Sequence, residues 1–69
     1  MSKTEQELKK LPQKQLDYLT FLRDRMRRFY QESNFQVVNE YRHAARGYIK
    51  CLDDCGIASF NALWAWFTL

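Results

Sequence analysis

The side chains best suited to chemistry are two cysteines and one histidine in the second half of the 69-residue chain. Cys51 and Cys55 stand four residues apart and could supply two ligands to zinc, but a structural site needs four, and His43 points elsewhere on the helix. Side chains at this spacing run parallel, which disfavours a disulfide. We therefore interpret both cysteines as free, small and buried, and we expect no metal and no cofactor.

A catalytic centre is not indicated either. His43 has no serine or cysteine nucleophile at a recognisable spacing, and a lone helical histidine is more often a surface or capping residue than a base. Asp53 and Asp54 are adjacent, which places them about 100 degrees apart on a helix, so they do not form a paired acid and base. A chain of this length buries only about 60% of its unfolded surface, which leaves little room for a deep cleft. The sequence predicts no enzymatic activity.

The elements that must position these residues are helices. Apolar residues recur at helical spacing, 46% of the residues are hydrophobic, and no strand or hairpin-turn pattern competes. The prediction is an all-α fold, an antiparallel helical hairpin with a short C-terminal third helix. A single helical domain is expected over residues 12–69, with helices at about 12–32, 35–55 and 60–68. Residues 1–11 are expected to form a flexible N-terminal arm, because Pro12 disfavours helix in the residue before it.

Local signals set the ends of these helices. Pro12 suits the first position of the first helix, and Ser33 and Asn34 are both good N-caps for the second. Gly56, followed by an apolar residue, predicts a Schellman motif at the end of the second helix. Ser59 can then cap the third helix.

No segment resembles a membrane anchor or an export signal. The longest nearly apolar stretch, 57–69, is shorter than the roughly 20 residues that a helix needs to cross a bilayer. The first ten residues are charged and lack the apolar centre of a secretory signal. Two cysteines are also few for a small secreted domain held by disulfides. We expect a cytoplasmic protein that does not enter the membrane.

The third helix carries more aromatic surface than a helical hairpin can cover. Each large ring buries on the order of 150 to 250 Å² when enclosed, and a hairpin offers one groove. At least one indole is therefore expected to face outward and to contact a protein partner or a second copy of the chain. The predicted partner interface consists of Phe60, Trp64, Trp66 and Phe67.

Small residues in the middle of the second helix have two interpretations. Gly47 costs about 1 kcal/mol relative to alanine in a helix and stands close to Ala44 and Ala45, which makes a flat face. That face receives another helix of the same chain in the first interpretation. In the second it is a self-association seam.

Basic residues predict a charged surface. The chain has 11 Lys and Arg against 8 Asp and Glu, for a net charge of +3. The predicted basic surface consists of Arg23, Arg27, Arg42, Arg46 and Lys50. Arrays of this kind bind phosphate backbones through counterion release, but carboxylates are interspersed among them. Three roles therefore remain open for the basic surface: a solvated face, contact with an acidic protein, and contact with nucleic acid.

The sequence ARGYIKCLDDCGI at 45–57 and the ending WFTL at 66–69 resemble small uncharacterised helical proteins encoded by phages and mobile elements of Gram-positive bacteria. The resemblance covers residues 45–69. It implies a phage accessory protein, a group that includes inhibitors of host defence such as anti-CRISPR proteins. It supplies no functional residue. Since many such inhibitors mimic nucleic acid with an acidic surface and this chain is basic, mimicry is not the expected mechanism.

These patterns together predict a non-enzymatic protein–protein interaction module that self-associates or binds a host protein. Aromatic and arginine side chains dominate the energetics of protein interfaces, and this chain is rich in both. The alternative is a small basic nucleic-acid-binding protein that uses Arg23, Arg27, Arg42 and Arg46 against phosphates.

Overall fold

The computed structural model describes residues 3–69, and the fold is all-α, as predicted. The helices are α1 (Lys3–Lys9), α2 (Gln13–Gln31), α3 (Phe35–Asp54) and α4 (Phe60–Thr68). The predicted helices at 12–32, 35–55 and 60–68 agree with α2, α3 and α4 to within one residue at each end. None of the helices in this part of the chain combines the length and the apolar character needed to cross a bilayer.

The N-terminal arm predicted over residues 1–11 is instead helical over Lys3–Lys9 and packs against α4. Leu11 is buried, and Leu8 packs against the core from the edge. Pro12 disfavours helix only at Leu11, so α1 ends before it and the chain turns there, which leaves α1 as a separate short helix that packs against α4. The first two residues of the predicted arm lie outside the described residues.

The connection between α2 and α3 ends one helix and starts the next. Ser33 adopts a left-handed backbone with φ of 59°. Its amide donates to the Tyr30 carbonyl at 3.0 Å, and the Asn34 amide donates to the Phe29 carbonyl at 2.9 Å, which is a Schellman ending. The Asn34 side chain then accepts a bond from the Val37 amide at 3.4 Å. Of the two predicted N-caps, Asn34 is therefore the one that caps α3.

The Schellman motif predicted at the end of α3 is confirmed. Gly56 has φ of +72°. Its amide donates to the Asp53 carbonyl at 2.9 Å, and the Ile57 amide donates to the Leu52 carbonyl at the same distance. This tight ending reverses the chain and lets α4 begin only a few residues later.

The core lies where α2, α3 and α4 meet. Its buried apolar residues are Leu11, Leu19, Leu22, Met26, Val38, Ala45, Ile49, Leu52, Ala58, Leu63 and Phe67. Leu19, Ile49, Leu63 and Phe67 are fully enclosed. Each such side chain contributes roughly 1.5 to 3 kcal/mol of burial free energy, so α4 is part of the core and not an added lid.

Candidate functional site

The aromatic interface predicted on α4 is only partly accessible. Phe67 has 0% exposure and belongs to the core, so it is not available to a partner. Trp64, Trp66 and Phe60 are each partly buried. Three helices contact α4, because α1 packs against it as well as α2 and α3, whereas the prediction had only two helices to cover it.

Two of the predicted basic residues hold the C-terminal end of α4. Arg23 Nε donates a hydrogen bond of 3.0 Å to the Trp66 carbonyl, and its guanidinium lies 4.7 Å from the centroid of the Trp66 ring. Arg27 Nη2 donates to the Leu69 carbonyl at 2.6 Å. The last carbonyls of a helix lack partners within the helix and carry its negative dipole end, so cations stabilise them. Desolvation, aided by the nearby charge of Arg27, lowers the pKa of Arg23.

Two carboxylates hold the N-terminal end of the same helix. Glu7 Oε2 accepts a bond from the Ser59 amide at 3.1 Å, and Asp53 Oδ2 accepts one from the Phe60 amide at 2.6 Å. Ser59 occupies the N-cap position, but its own side chain makes no capping bond. The Ser59 amide, followed by the neighbouring Lys10, lowers the pKa of Glu7. The carboxylates thus satisfy amides that the helix itself leaves unpaired.

The other predicted cations are exposed on α3, namely Arg42, Arg46 and Lys50. Arg42 lies over the Trp64 ring at 5.8 Å. Arg46 and Lys50 border a hollow of about 280 Å³ that also contains the carboxylates of Asp53 and Asp54. Because Arg23 and Arg27 bind α4 and acids share this hollow, the predicted basic surface is not one continuous array.

A larger concavity than this hollow lies beside the connection between α2 and α3. We call it the turn groove, and it is lined by Met26, Arg27, Tyr30, Gln31, Phe35, Val38, Asn39, Arg42, Thr68 and Leu69. Its volume is about 610 Å³, which is within the range of ordinary ligand sites. Tyr30 is 63% exposed and Phe35 is 54% exposed, and their rings meet edge to face with centroids 5.5 Å apart. Arg27 and Arg42 are the charged side chains among the lining residues.

A second surface, the aromatic face, combines exposed and partly buried residues of α2 and α3. It consists of Tyr18, Phe21, Arg25, Phe29, Tyr41 and Tyr48. Tyr18 contacts Tyr48 with ring centroids 4.9 Å apart, and Phe29 contacts Tyr41 with centroids 5.9 Å apart. Positions two apart on a helix lie about 160 degrees apart, so Arg25 is on the side of α2 away from the residues that bind α4.

The cysteines correct the expectation that they are buried. Cys51 and Cys55 are both exposed and free. Negative charge on Cys51, and a hydrogen bond to it, raise the pKa of the Cys55 thiol. A raised pKa leaves less thiolate, so exposure here does not bring the reactivity of an activated cysteine. Within residues 3–69, no three His, Cys, Asp or Glu side chains come together as metal ligands.

Comparisons with known proteins provide no relative on which to base a function. A scan against protein-family models, a search of curated proteins and a search of solved structures gave no significant match. The resemblance of 45–69 to phage and mobile-element proteins therefore stays a prediction.

Sequence reasoning missed the turn groove and both caps of α4. Tyr30 and Phe35 flank the predicted turn. Large rings on both sides of so short a connection could have indicated that the two side chains are exposed next to each other. Asp53 carried a signal as well, because a carboxylate in the last turn of a helix opposes that helix dipole and calls for another partner. Nothing in the local sequence of Glu7 connects it to Ser59, which is 52 positions away.

Proposed function

We propose that this protein is a non-enzymatic protein–protein interaction module that binds its partner through the turn groove. The observation that carries the proposal is the exposure of three large apolar side chains around one concavity. Tyr30, Phe35 and Leu69 are 63%, 54% and 81% exposed. Apolar patches of this kind on a small monomer mark binding sites more often than chance exposure does.

The composition of the groove fits a protein partner. Tyrosine and arginine are enriched among the residues that dominate protein interfaces, and Arg27, Tyr30 and Arg42 all line the groove. The edge-to-face contact with Phe35 orients the Tyr30 ring before a partner arrives, which reduces the entropy lost on binding. An apolar side chain of the partner would fill the groove while Arg42 contacts acidic or carbonyl groups at its rim.

The scaffold of this proposal is the antiparallel hairpin expected for α2 and α3. Ring contacts support that direction, because they run in opposite order along the two helices. Tyr18 of α2 contacts Tyr48 of α3, and Phe29 further along α2 contacts Tyr41 earlier in α3. A connection as short as the one at 32–34 also favours antiparallel neighbours.

The α4 aromatics support the groove in this proposal. Arg42 lines the groove and lies over the Trp64 ring, so Trp64 fixes the position of a cation that a partner would meet. Trp66 is occupied in the same way by Arg23. Of the interface predicted from sequence, Trp64 is therefore the residue closest to a binding role.

The experiment compares partner recovery by the wild-type chain, by Tyr30→Ala and Phe35→Ala, and by the matched exposed control Gln36→Ala. Affinity enrichment with quantitative mass spectrometry identifies candidates, and calorimetry with a purified candidate measures Kd. Truncation of a dominant interface residue costs about 2 kcal/mol or more, so we expect Kd to rise at least 30-fold in both groove variants and to change little in the control. Equal affinities for all four chains would contradict the proposal.

The nucleic-acid alternative has less support. Of its four arginines, Arg23 and Arg27 donate to the backbone of α4 and its flanking residue, which leaves fewer groups free to meet phosphates. A low-salt gel shift that yields a complex, with affinity falling steeply as salt rises, would favour this alternative.

A further inference from the structure

The aromatic face is accessible mainly through two rings of α2, while its other residues are partly buried. Phe21 is 54% exposed and Tyr18 is 44% exposed. The face contains one charged side chain, Arg25, whose guanidinium lies 5.7 Å from the Phe21 centroid and 5.8 Å from the Phe29 centroid. Arg25 Nε also donates to the Tyr41 hydroxyl at 3.4 Å. The guanidinium is thus held in place by neutral groups.

Arg25 lacks a carboxylate partner in the part of the chain that the structure describes. The ion pairs there join Lys10 to Glu7 and Arg28 to Glu32. A partly buried guanidinium with only aromatic and hydroxyl neighbours keeps donors available, and a carboxylate is the acceptor that fits their planar geometry best. The aromatic face is therefore apolar with one unneutralised positive charge at a fixed position.

Small residues on the α3 border of this face leave space for the backbone of a partner helix. Ala44 lies between Tyr41 and Tyr48 at helical spacing and is exposed, as is the neighbouring Gly47. A Cβ added at Gly47 would meet nothing within 4 Å. The interpretation in which another helix of the same chain covers the small residues of α3 holds for Ala45, which is fully buried, and is wrong for Ala44 and Gly47.

We propose that the aromatic face binds an amphipathic helix of a partner protein, with an acidic residue on the apolar side of that helix placed against Arg25. Within the chain, α4 covers one side of the α2–α3 pair. A partner helix on the aromatic face would cover the apolar residues on the other side. Charge complementarity indicates an acidic partner. None of the six residues that define the aromatic face is acidic, so the carboxylate that would pair with Arg25 is expected to come from the bound helix. A second copy is disfavoured because it would bring another Arg25 to the interface and because each copy carries a net charge of +3. The inference does not depend on the turn groove, which uses other residues.

The test is a phage-display selection. The probe is a library of 18-residue helical peptides whose heptad positions are mostly apolar. The intervening positions and some positions on the apolar side are randomised. We expect the selected peptides to concentrate Asp or Glu at one position of the apolar side. Phe21→Ala and Arg25→Gln should each weaken a selected peptide at least tenfold by fluorescence anisotropy, and Tyr30→Ala should leave its affinity unchanged. Charge exchange gives a more specific test: Arg25→Glu should restore binding when the acidic peptide position is changed to lysine.

Several results would overturn the proposal. One is a selection that yields no peptide, or peptides without an acidic position. Another is a set of binders that lose affinity in Tyr30→Ala and not in Phe21→Ala, which places them in the turn groove. Light scattering that finds a dimer of the wild-type chain and a monomer of Phe21→Asp would assign the face to a second copy instead. Binding of a single-stranded oligonucleotide that requires Phe21 and Arg25 would assign it to nucleic acid.

Discussion

Arg23 contacts Trp66 twice: its guanidinium lies over the indole at 4.7 Å, and its Nε donates to the carbonyl of the same residue at 3.0 Å. One side chain of α2 thus covers part of an aromatic ring and pairs a carbonyl in the last turn of α4. The contact joins two helices whose bonded residues are 43 positions apart. Arg23, which was expected on a basic surface, therefore helps to attach α4 to α2.

Loss of this double contact should destabilise the fold. Hydrogen bonds to charged groups contribute about 1.5 to 3 kcal/mol, and a cation over a ring adds roughly 0.5 to 1 kcal/mol at an exposed site. We expect Arg23→Ala to lower the free energy of unfolding by about 2 to 4 kcal/mol in urea titrations. Arg46→Ala, an exposed cation on α3, is the control and should change it by less than about 0.5 kcal/mol. Equal effects of the two variants would contradict the assigned role of Arg23.

Acid should weaken the attachment of α4 through Glu7. The Ser59 amide lowers the pKa of this carboxyl in the folded state below its ordinary value of 4.5. The folded state therefore binds the proton less tightly than the unfolded state, so the stabilisation is complete above the ordinary value and is lost as the pH falls through the lower folded-state pKa. Urea titrations between pH 7 and pH 2 should show a steeper decline for the wild-type chain than for Glu7→Gln. Parallel declines would mean that Glu7 does not contribute.

The two glycines should respond to alanine in opposite directions. Neither has any atom within 4 Å of an added Cβ, so the substitutions differ in backbone conformation and not in available space. Gly47 lies inside α3, where alanine is favoured by about 0.8 to 1 kcal/mol, and Gly47→Ala should raise the free energy of unfolding by that amount. Gly56 has φ of +72°, where a side chain costs roughly 1 to 2 kcal/mol, so Gly56→Ala should lower it. Thermal denaturation of both variants measures the sign directly.

Truncation of Phe67 should affect folding before it affects any binding. The side chain is fully buried, and removal of a buried phenylalanine ring costs about 3 to 5 kcal/mol, which is a large part of the stability of a small domain. We expect Phe67→Ala to lose much of its helical circular dichroism at 37 °C, while Phe67→Leu remains folded. A folded Phe67→Ala with reduced partner binding would restore the interface role first predicted for this residue.

The features that sequence reasoning predicted correctly depend on neighbouring residues. Gly56 ends α3 because the left-handed backbone and the two returning bonds involve only positions 52–57. The residues of the site were harder to predict because their partners are distant. Phe67 was assigned to an interface since periodicity cannot say how many helices will cover one side of α4. Cys51 was assigned to the core on residue type alone, although the fold places it on an open side of α3.

The two ends of α4 are paired by groups from outside the helix. A helix of 9 residues is marginal in water by itself, and α4 receives its end groups from α1, α2 and the last turn of α3. Residues 55–69 as an isolated peptide should therefore lack stable helix. In the full chain α4 therefore depends on groups that the earlier helices supply at both of its ends, so a change that detaches Glu7, Arg23 or Asp53 would expose the aromatic C-terminal segment to solvent.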